Sequence, residues 1–140
     1  EENKKQLIQG IKNGVIDAIA TDHAPHTYNK KETSFDQAAS GMIGLESAFG
    51  LAMTNLYHED IISLIDLIKL ITVNPAEILD IEMEKIEAGE KANLTIFDKD
   101  EWWVFNEKNI YSKSKNTPFI GNEMNGRVKK VIIEDKIVEI

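Results

Sequence analysis

No cysteine occurs among the 140 residues, which removes disulfide frameworks, thiolate zinc sites and cysteine nucleophiles at once. Histidine is scarce too. His23, His26 and His58 are the only imidazoles, so any metal site has to combine them with carboxylates. Cations are outnumbered, 16 Lys and Arg against 24 Asp and Glu, for a net charge of −8. Nucleic-acid binding rests on clustered cations, and the densest cluster here is only Arg127, Lys129 and Lys130. No nucleic-acid partner is expected. No apolar run approaches the roughly 18 residues of a membrane span, and no basic stretch leads into an apolar one as in a signal peptide. A membrane partner is not expected either, and the expected location is cytoplasmic.

What is present suits one compact domain of 15.8 kDa with a real core. The acidity is uneven: residues 1–100 carry a net charge of −9 and residues 101–140 a net charge of +1. Leu7, Ile8 and Ile11 give residues 2–12 an apolar stripe at helical spacing. Asn13-Gly14 should end that helix, glycine being the residue that accepts a left-handed cap. The apolar run at 15–20 then reads as a strand buried on both faces, as in a parallel α/β sheet. Residues 27–42 show no period and read as a loop of lid length. Residues 44–57 are helical in pattern, and Asp60 or Ser63 can cap a further helix through Leu64, Leu67, Ile68 and Ile71. Asn74-Pro75 opens another, proline being suited to a first turn. From Gly89 the texture turns β-rich, with alternation at 92–98, aromatic β-formers at 102–105 and a hairpin pattern over 128–139 about Glu134-Asp135. The division predicted is 1–88, α/β, and 89–140, mostly β.

Asp22, His23 and His26 form the only dense cluster of acid/base or metal-capable side chains. Taken alone, the cluster is equally compatible with Asp22 capping a turn beside two surface imidazoles. Its position favours chemistry, because the carboxyl ends of parallel strands are where α/β folds place reactive groups. An Asp there can bind a divalent cation and exchange protons with metal-bound water, and a nearby His can hold an anionic substrate group. His58, in a His-Glu-Asp run, reads as a surface residue.

Residues 20–26, Ala-Thr-Asp-His-Ala-Pro-His, followed by Lys30 or Lys31, closely resemble the second signature of the dihydroorotases, members of the metal-dependent amidohydrolase superfamily. The resemblance runs on through Gly-Met-Ile-Gly-Leu-Glu at 41–46, Thr-Val-Asn-Pro-Ala at 72–76, Gly-Glu-Lys-Ala-Asn-Leu at 89–94 and Lys-Asn-Thr-Pro-Phe at 115–119. Hydantoinases and allantoinases typically lack the equivalent of His26, and the 115–119 segment points to the bacterial class I branch.

The resemblance implies the carboxyl-terminal part of a (β/α)8 barrel followed by a small β subdomain. It implies zinc, in a binuclear centre, and the interconversion of N-carbamoyl-L-aspartate and (S)-dihydroorotate in pyrimidine biosynthesis. By the same resemblance Asp22 ligates one metal and shuttles the proton, and His26 contacts the substrate carboxylate. The backbone of Ser40 and Gly41 completes the substrate pocket, although relatives usually carry an aromatic residue where Ser40 stands. His23 is expected in loop packing rather than as a ligand. The family's other ligands, a His-x-His, a carboxylated lysine and two further His, are not found here. The chain also begins at Glu1 in a helical pattern, so it is expected to be the carboxyl-terminal third of a longer enzyme. A homodimer is expected, with self-association of the piece through its open strand edges. The alternatives are a hydantoinase-like ring opener, against which His26 argues, and a catalytically silent scaffold homologue, against which the retention of both Asp22 and His26 argues.

Overall fold

A computed structural model describes all 140 residues as a mixed α/β chain. Its helices are α1 (Glu2–Lys12), α2 (Tyr28–Lys31), α3 (Leu45–Ala52), α4 (Leu64–Ile71) and α5 (Val73–Ile78). Its strands are β1 (Asn93–Val104), β2 (Glu123–Ile133) and β3 (Lys136–Glu139), joined in one antiparallel sheet of order β1-β2-β3.

Local chemistry accounts for two of the helix ends. Gly14 sits at φ 66° just past α1, the conformation that costs glycine least. Ser63 is the cap of α4, its hydroxyl accepting the Asp66 N–H at 3.1 Å. Asp60, the other candidate, instead takes a left-handed turn at φ 52°. The helix expected at 44–57 forms, but past Ala52 it widens into a π turn, Met53–Tyr57. The Thr54 hydroxyl and the Asn55 amide donate to the carbonyls of Gly50 and Leu51 at 2.7 and 2.8 Å, and such side-chain bonding competes with the helical ladder.

Two expectations need correction. The run at 15–20 is not a buried strand: it carries no ladder, and Val15 is 73% exposed. A strand buried on both faces needs neighbours on both edges, and this chain offers none. The backbone of the segment is met instead by Leu70, whose carbonyl accepts the Ile19 N–H at 2.9 Å, and by the Asn74 amide, which donates to the Asp17 carbonyl at 2.8 Å. The 27–42 loop is not structureless either. It holds the single turn α2, and Lys31 is folded back onto the Ala39 and Gly41 carbonyls at 2.8 and 3.0 Å.

The sheet follows the expected hairpin, with Ile132 opposite Ile137 and Glu134 in the turn at φ 56°. The two β-rich runs at 92–98 and 102–105 prove to be one strand with an irregularity between Asp98 and Trp102. There the Asp98 carboxylate accepts the N–H groups of Asp100 and Glu101 at 2.9 and 3.1 Å, a local turn that lets the strand resume pairing. The basic cluster is paired: Glu101 takes Arg127 at 3.0 Å and Lys129 at 2.6 Å, and Glu139 takes Lys130 at 2.9 Å.

Helix and sheet share a core. Ile43, Phe105, Ile110 and Met124 form one buried group, and Ala52, Met53 and Leu67 a second. Close approach depends on two glycines: a Cβ on Gly50 would lie 2.7 Å from Met124 Sδ, and one on Gly126 2.7 Å from Met53 Cγ. Gly126 also has φ 80°. Gly126→Ala is therefore expected to cost roughly 1–3 kcal/mol from overpacking, with backbone strain added. Urea unfolding checks this; an unchanged midpoint would mean that the contact is slack. Only 12 of 140 residues are buried, and Leu7, Val15, Ile65, Ile78 and Ile86 stand exposed. The helical layer thus packs on one side and leaves apolar surface on the other.

Candidate active site

Asp22 adopts φ 48°, a left-handed conformation tolerated by Asp but unfavourable for most side chains. Its carboxylate is exposed and makes no hydrogen bond within the chain. Beside it, His23 forms an isolated parallel bridge with Met42, and the Ala24 N–H donates to the Met42 carbonyl at 2.8 Å. The segments around Asp22 and Gly41 therefore run together, 19 residues apart in sequence.

This alignment gathers the other expected site residues. His26 Nε2 lies 2.7 Å from the Ser40 carbonyl oxygen. A carbonyl can only accept, so the proton is on Nε2 and Nδ1 is left for a ligand. Gly41 has φ 105°, and a Cβ there would sit 2.6 Å from the Ala24 Cβ, so glycine is required. Its carbonyl accepts from Lys31 Nζ at 3.0 Å and from Asn116 Nδ2 at 3.1 Å. The Asn116 carbonyl in turn accepts the Ile43 N–H at 3.0 Å. A cleft of about 700 Å³ lies against this loop, lined by His26, Thr27, Tyr28, Lys31, Lys113 and Asn116 among others.

Several residues holding the site were not singled out individually by the sequence. Lys31 and Asn116 fix Gly41, and the only signal for them lay in the motifs that carry the family resemblance. Ser112 had no signal at all. Its N–H donates to Glu46 Oε1 at 2.7 Å, and its Oγ lies 3.3 Å from His23 Nε2. Serine, histidine and glutamate together suggest nucleophilic catalysis, but the tautomer forbids it. His23 Nδ1 accepts the N–H groups of Gly44 and Leu45 at 3.1 and 3.3 Å, so Nε2 bears the proton and cannot deprotonate Ser112. Burial opposes ionisation of Glu46, but hydrogen bonds from the Ser112 hydroxyl and N–H outweigh it and hold the carboxyl below its usual range. A depressed carboxylate stabilises the fold above its unfolded pKa, and that contribution is lost as pH falls through the folded value. Glu46→Gln should accordingly be less stable than wild type at neutral pH, with the gap closing below about pH 4. Denaturation across pH tests this; a gap that persists in acid would assign the loss to packing.

The residues present do not make a zinc centre. His23 has both ring nitrogens engaged, His26 has one, and His58 Nε2 lies 2.8 Å from the Lys99 carbonyl. No three His or carboxylate groups converge anywhere in the chain.

Comparison with known proteins gives these features a setting. The amidohydrolase family model matches residues 1–138, and the chain belongs to that family. Within it, the sequence is similar to the dihydroorotase of Chlorobaculum tepidum, 46% identical over 137 residues, covering 98% of this chain and 31% of that protein. The dihydroorotase of Clostridium acetobutylicum is 43% identical over 138 residues, with coverage of 99% and 32%. Among solved structures, the L-hydantoinase (dihydropyrimidinase) of Arthrobacter aurescens superposes with a TM-score of 0.84 at 27% identity, over 95% of this chain and 31% of that one. The chain thus spans about a third of the length of these relatives.

Proposed function

We propose that this chain is the carboxyl-terminal third of a dihydroorotase, a hydrolase of cyclic amides that closes N-carbamoyl-L-aspartate to (S)-dihydroorotate in pyrimidine biosynthesis. The observation carrying this reading is the meeting of His26 with Ser40 and Gly41 beside Asp22, in a sequence 46% identical to a dihydroorotase. In this reading residues 1–88 complete a (β/α)8 barrel, and residues 89–140 form a small β subdomain docked on it. The exposed apolar side of α1 and of the 15–20 segment is then the face that meets the rest of the barrel.

Each residue has a task its surroundings suit. Asp22, exposed and unpartnered, takes the proton from the carbamoyl nitrogen as that nitrogen attacks the carboxyl carbon and passes it to the oxygen that leaves as water; in hydrolysis the proton runs the other way. His26, oriented through Nε2–H by the Ser40 carbonyl, binds the substrate carboxylate in its imidazolium form, with Nδ1–H as the donor. The Ser40–Gly41 backbone, held by Lys31 and Asn116, closes the pocket behind it. Zinc belongs to the complete enzyme, with Asp22 its only ligand from this chain. The intact enzyme is a cytoplasmic homodimer.

The hydantoinases share the fold, yet the nearer sequence relatives are dihydroorotases. The test is ring closure of carbamoyl aspartate by the intact protein, with His26→Ala alongside. A charge-assisted hydrogen bond is worth about 1.5–3 kcal/mol, so KM should rise roughly 10- to 100-fold while kcat changes less. Turnover of hydantoins but not carbamoyl aspartate would overturn the reading.

A further inference from the structure

We propose that His23 is a positioning residue that locks the backbone of Asp22 through its side chain; the catalytic consequence rests on the dihydroorotase reading. Asp22 holds an unfavourable conformation, φ 48°, with no side-chain bond to maintain it. Such a conformation persists only where its surroundings over-determine it. On the amino-terminal side, the Ile19 N–H is tied to Leu70, and Thr21 lies against Gly44, where a Cβ would fall 3.0 Å from the Thr21 carbonyl oxygen. On the carboxyl-terminal side the hold is His23. Its Nδ1 accepts two N–H groups at the start of α3, its Nε2–H reaches Ser112 Oγ, and the next residue bonds Met42.

Three segments far apart in sequence therefore converge on one imidazole: the 21–26 turn, the amino-terminal end of α3 and the 106–116 loop. The Nδ1 contact does the work of a helix cap, normally supplied by Ser, Thr, Asp or Asn within the helix's own chain. Gly44, which precedes α3, has no side chain to offer, and α3 has no other side-chain cap. The cap is borrowed from the residue after Asp22. Helix α3 is in turn packed on the sheet through Gly50, and the π turn that continues it through Met53, so the rigid part of the fold holds Asp22 by way of His23.

The test compares His23→Ala, His23→Asn and His23→Gln in the intact protein. The Asn side chain can replace Nδ1 as acceptor at Gly44 and Leu45, whereas Gln is longer and suited only to the Nε2 position. Displacing a reacting group by about 1 Å can cost on the order of 100-fold. His23→Ala should lose kcat by that order with KM within about threefold, and Asn should recover most of the loss. Where His23→Ala fails to fold, Asn should still exceed Gln in kcat by about tenfold. Equal kcat in Asn and Gln, or wild-type kcat in Ala, overturns the proposal. Crystal structures supply a readout independent of activity: Asp22 should leave the left-handed region in Ala or Gln and keep it in Asn. An unchanged Asp22 φ in His23→Ala or His23→Gln overturns the lock. If the wild-type protein closes no carbamoyl aspartate yet the φ values behave as expected, the dihydroorotase reading fails and the lock stands.

Discussion

Asp22→Asn in the intact protein is expected to abolish turnover of carbamoyl aspartate and leave the fold unchanged. The structural half of this expectation is unusually clean. The Asp22 side chain is exposed and bonds nothing within the chain, so the amide breaks no contact within it. Its backbone sits at φ 48°, a region that Asn occupies at least as readily as Asp. The functional half follows from proton chemistry: a carboxylate can take a proton and return it, and a neutral amide cannot. Thermal unfolding of the two metal-free proteins should therefore coincide, while ring closure by the variant disappears. Activity within about tenfold of wild type is a barrier change of only about 1.4 kcal/mol and would show that Asp22 is not the proton carrier. A large loss of melting temperature would instead give Asp22 a structural role that its exposure contradicts.

Elements that depend on neighbours close in sequence were legible. The stripe of Leu7, Ile8 and Ile11 gives α1, Ser63 caps α4, and Glu134-Asp135 turns the hairpin. These rest on periodicity, a cap and a turn residue, each decided within a few positions. The 15–20 run shows where that reasoning stops. An apolar run states that a segment needs cover, but whether it is covered depends on strands elsewhere. The site divides in the same way. Asp22 and His26 announce themselves by residue type, and Ser40 and Gly41 enter through family resemblance. The contacts that fix them, Asn116 to Gly41 and Ser112 to Glu46, join positions 75 and 66 residues apart. No periodicity encodes contacts of that length, because they are set by how α3 lands on the sheet.

The shared core also bears on the division at residue 88. Ile43 lies in the first part, Phe105, Ile110 and Met124 in the second, and they form one buried group. The Thr54 hydroxyl accepts the Asn125 N–H at 2.8 Å and so ties the π turn after α3 to β2. The sheet is therefore more than an appendage. It is the platform on which α3, and through α3 the Asp22 turn, is seated. A substitution in the sheet such as Gly126→Ala can then reach the site without touching it.

The purified 140-residue chain is itself expected to close no carbamoyl aspartate and to bind no tight stoichiometric zinc. The reason is the donor count. A catalytic zinc takes about three protein ligands, and around Asp22 the chain offers one free carboxylate. His23 is spent on Gly44, Leu45 and Ser112. His26 keeps only Nδ1, since Nε2 is turned to the Ser40 carbonyl. Freeing His23 for a metal would uncap α3 and release the 106–116 loop, so the fold competes with the ion for the same nitrogens. The cost of that competition has no return, because no third ligand is in reach. Metal analysis after dialysis against zinc, together with a ring-closure assay on the same sample, decides the matter. Zinc well below one equivalent per chain, with no product formed, is the expected result. Two equivalents held through dialysis, with measurable ring closure, would mean that the chain assembles a site its donors cannot furnish, and the donor count would be wrong.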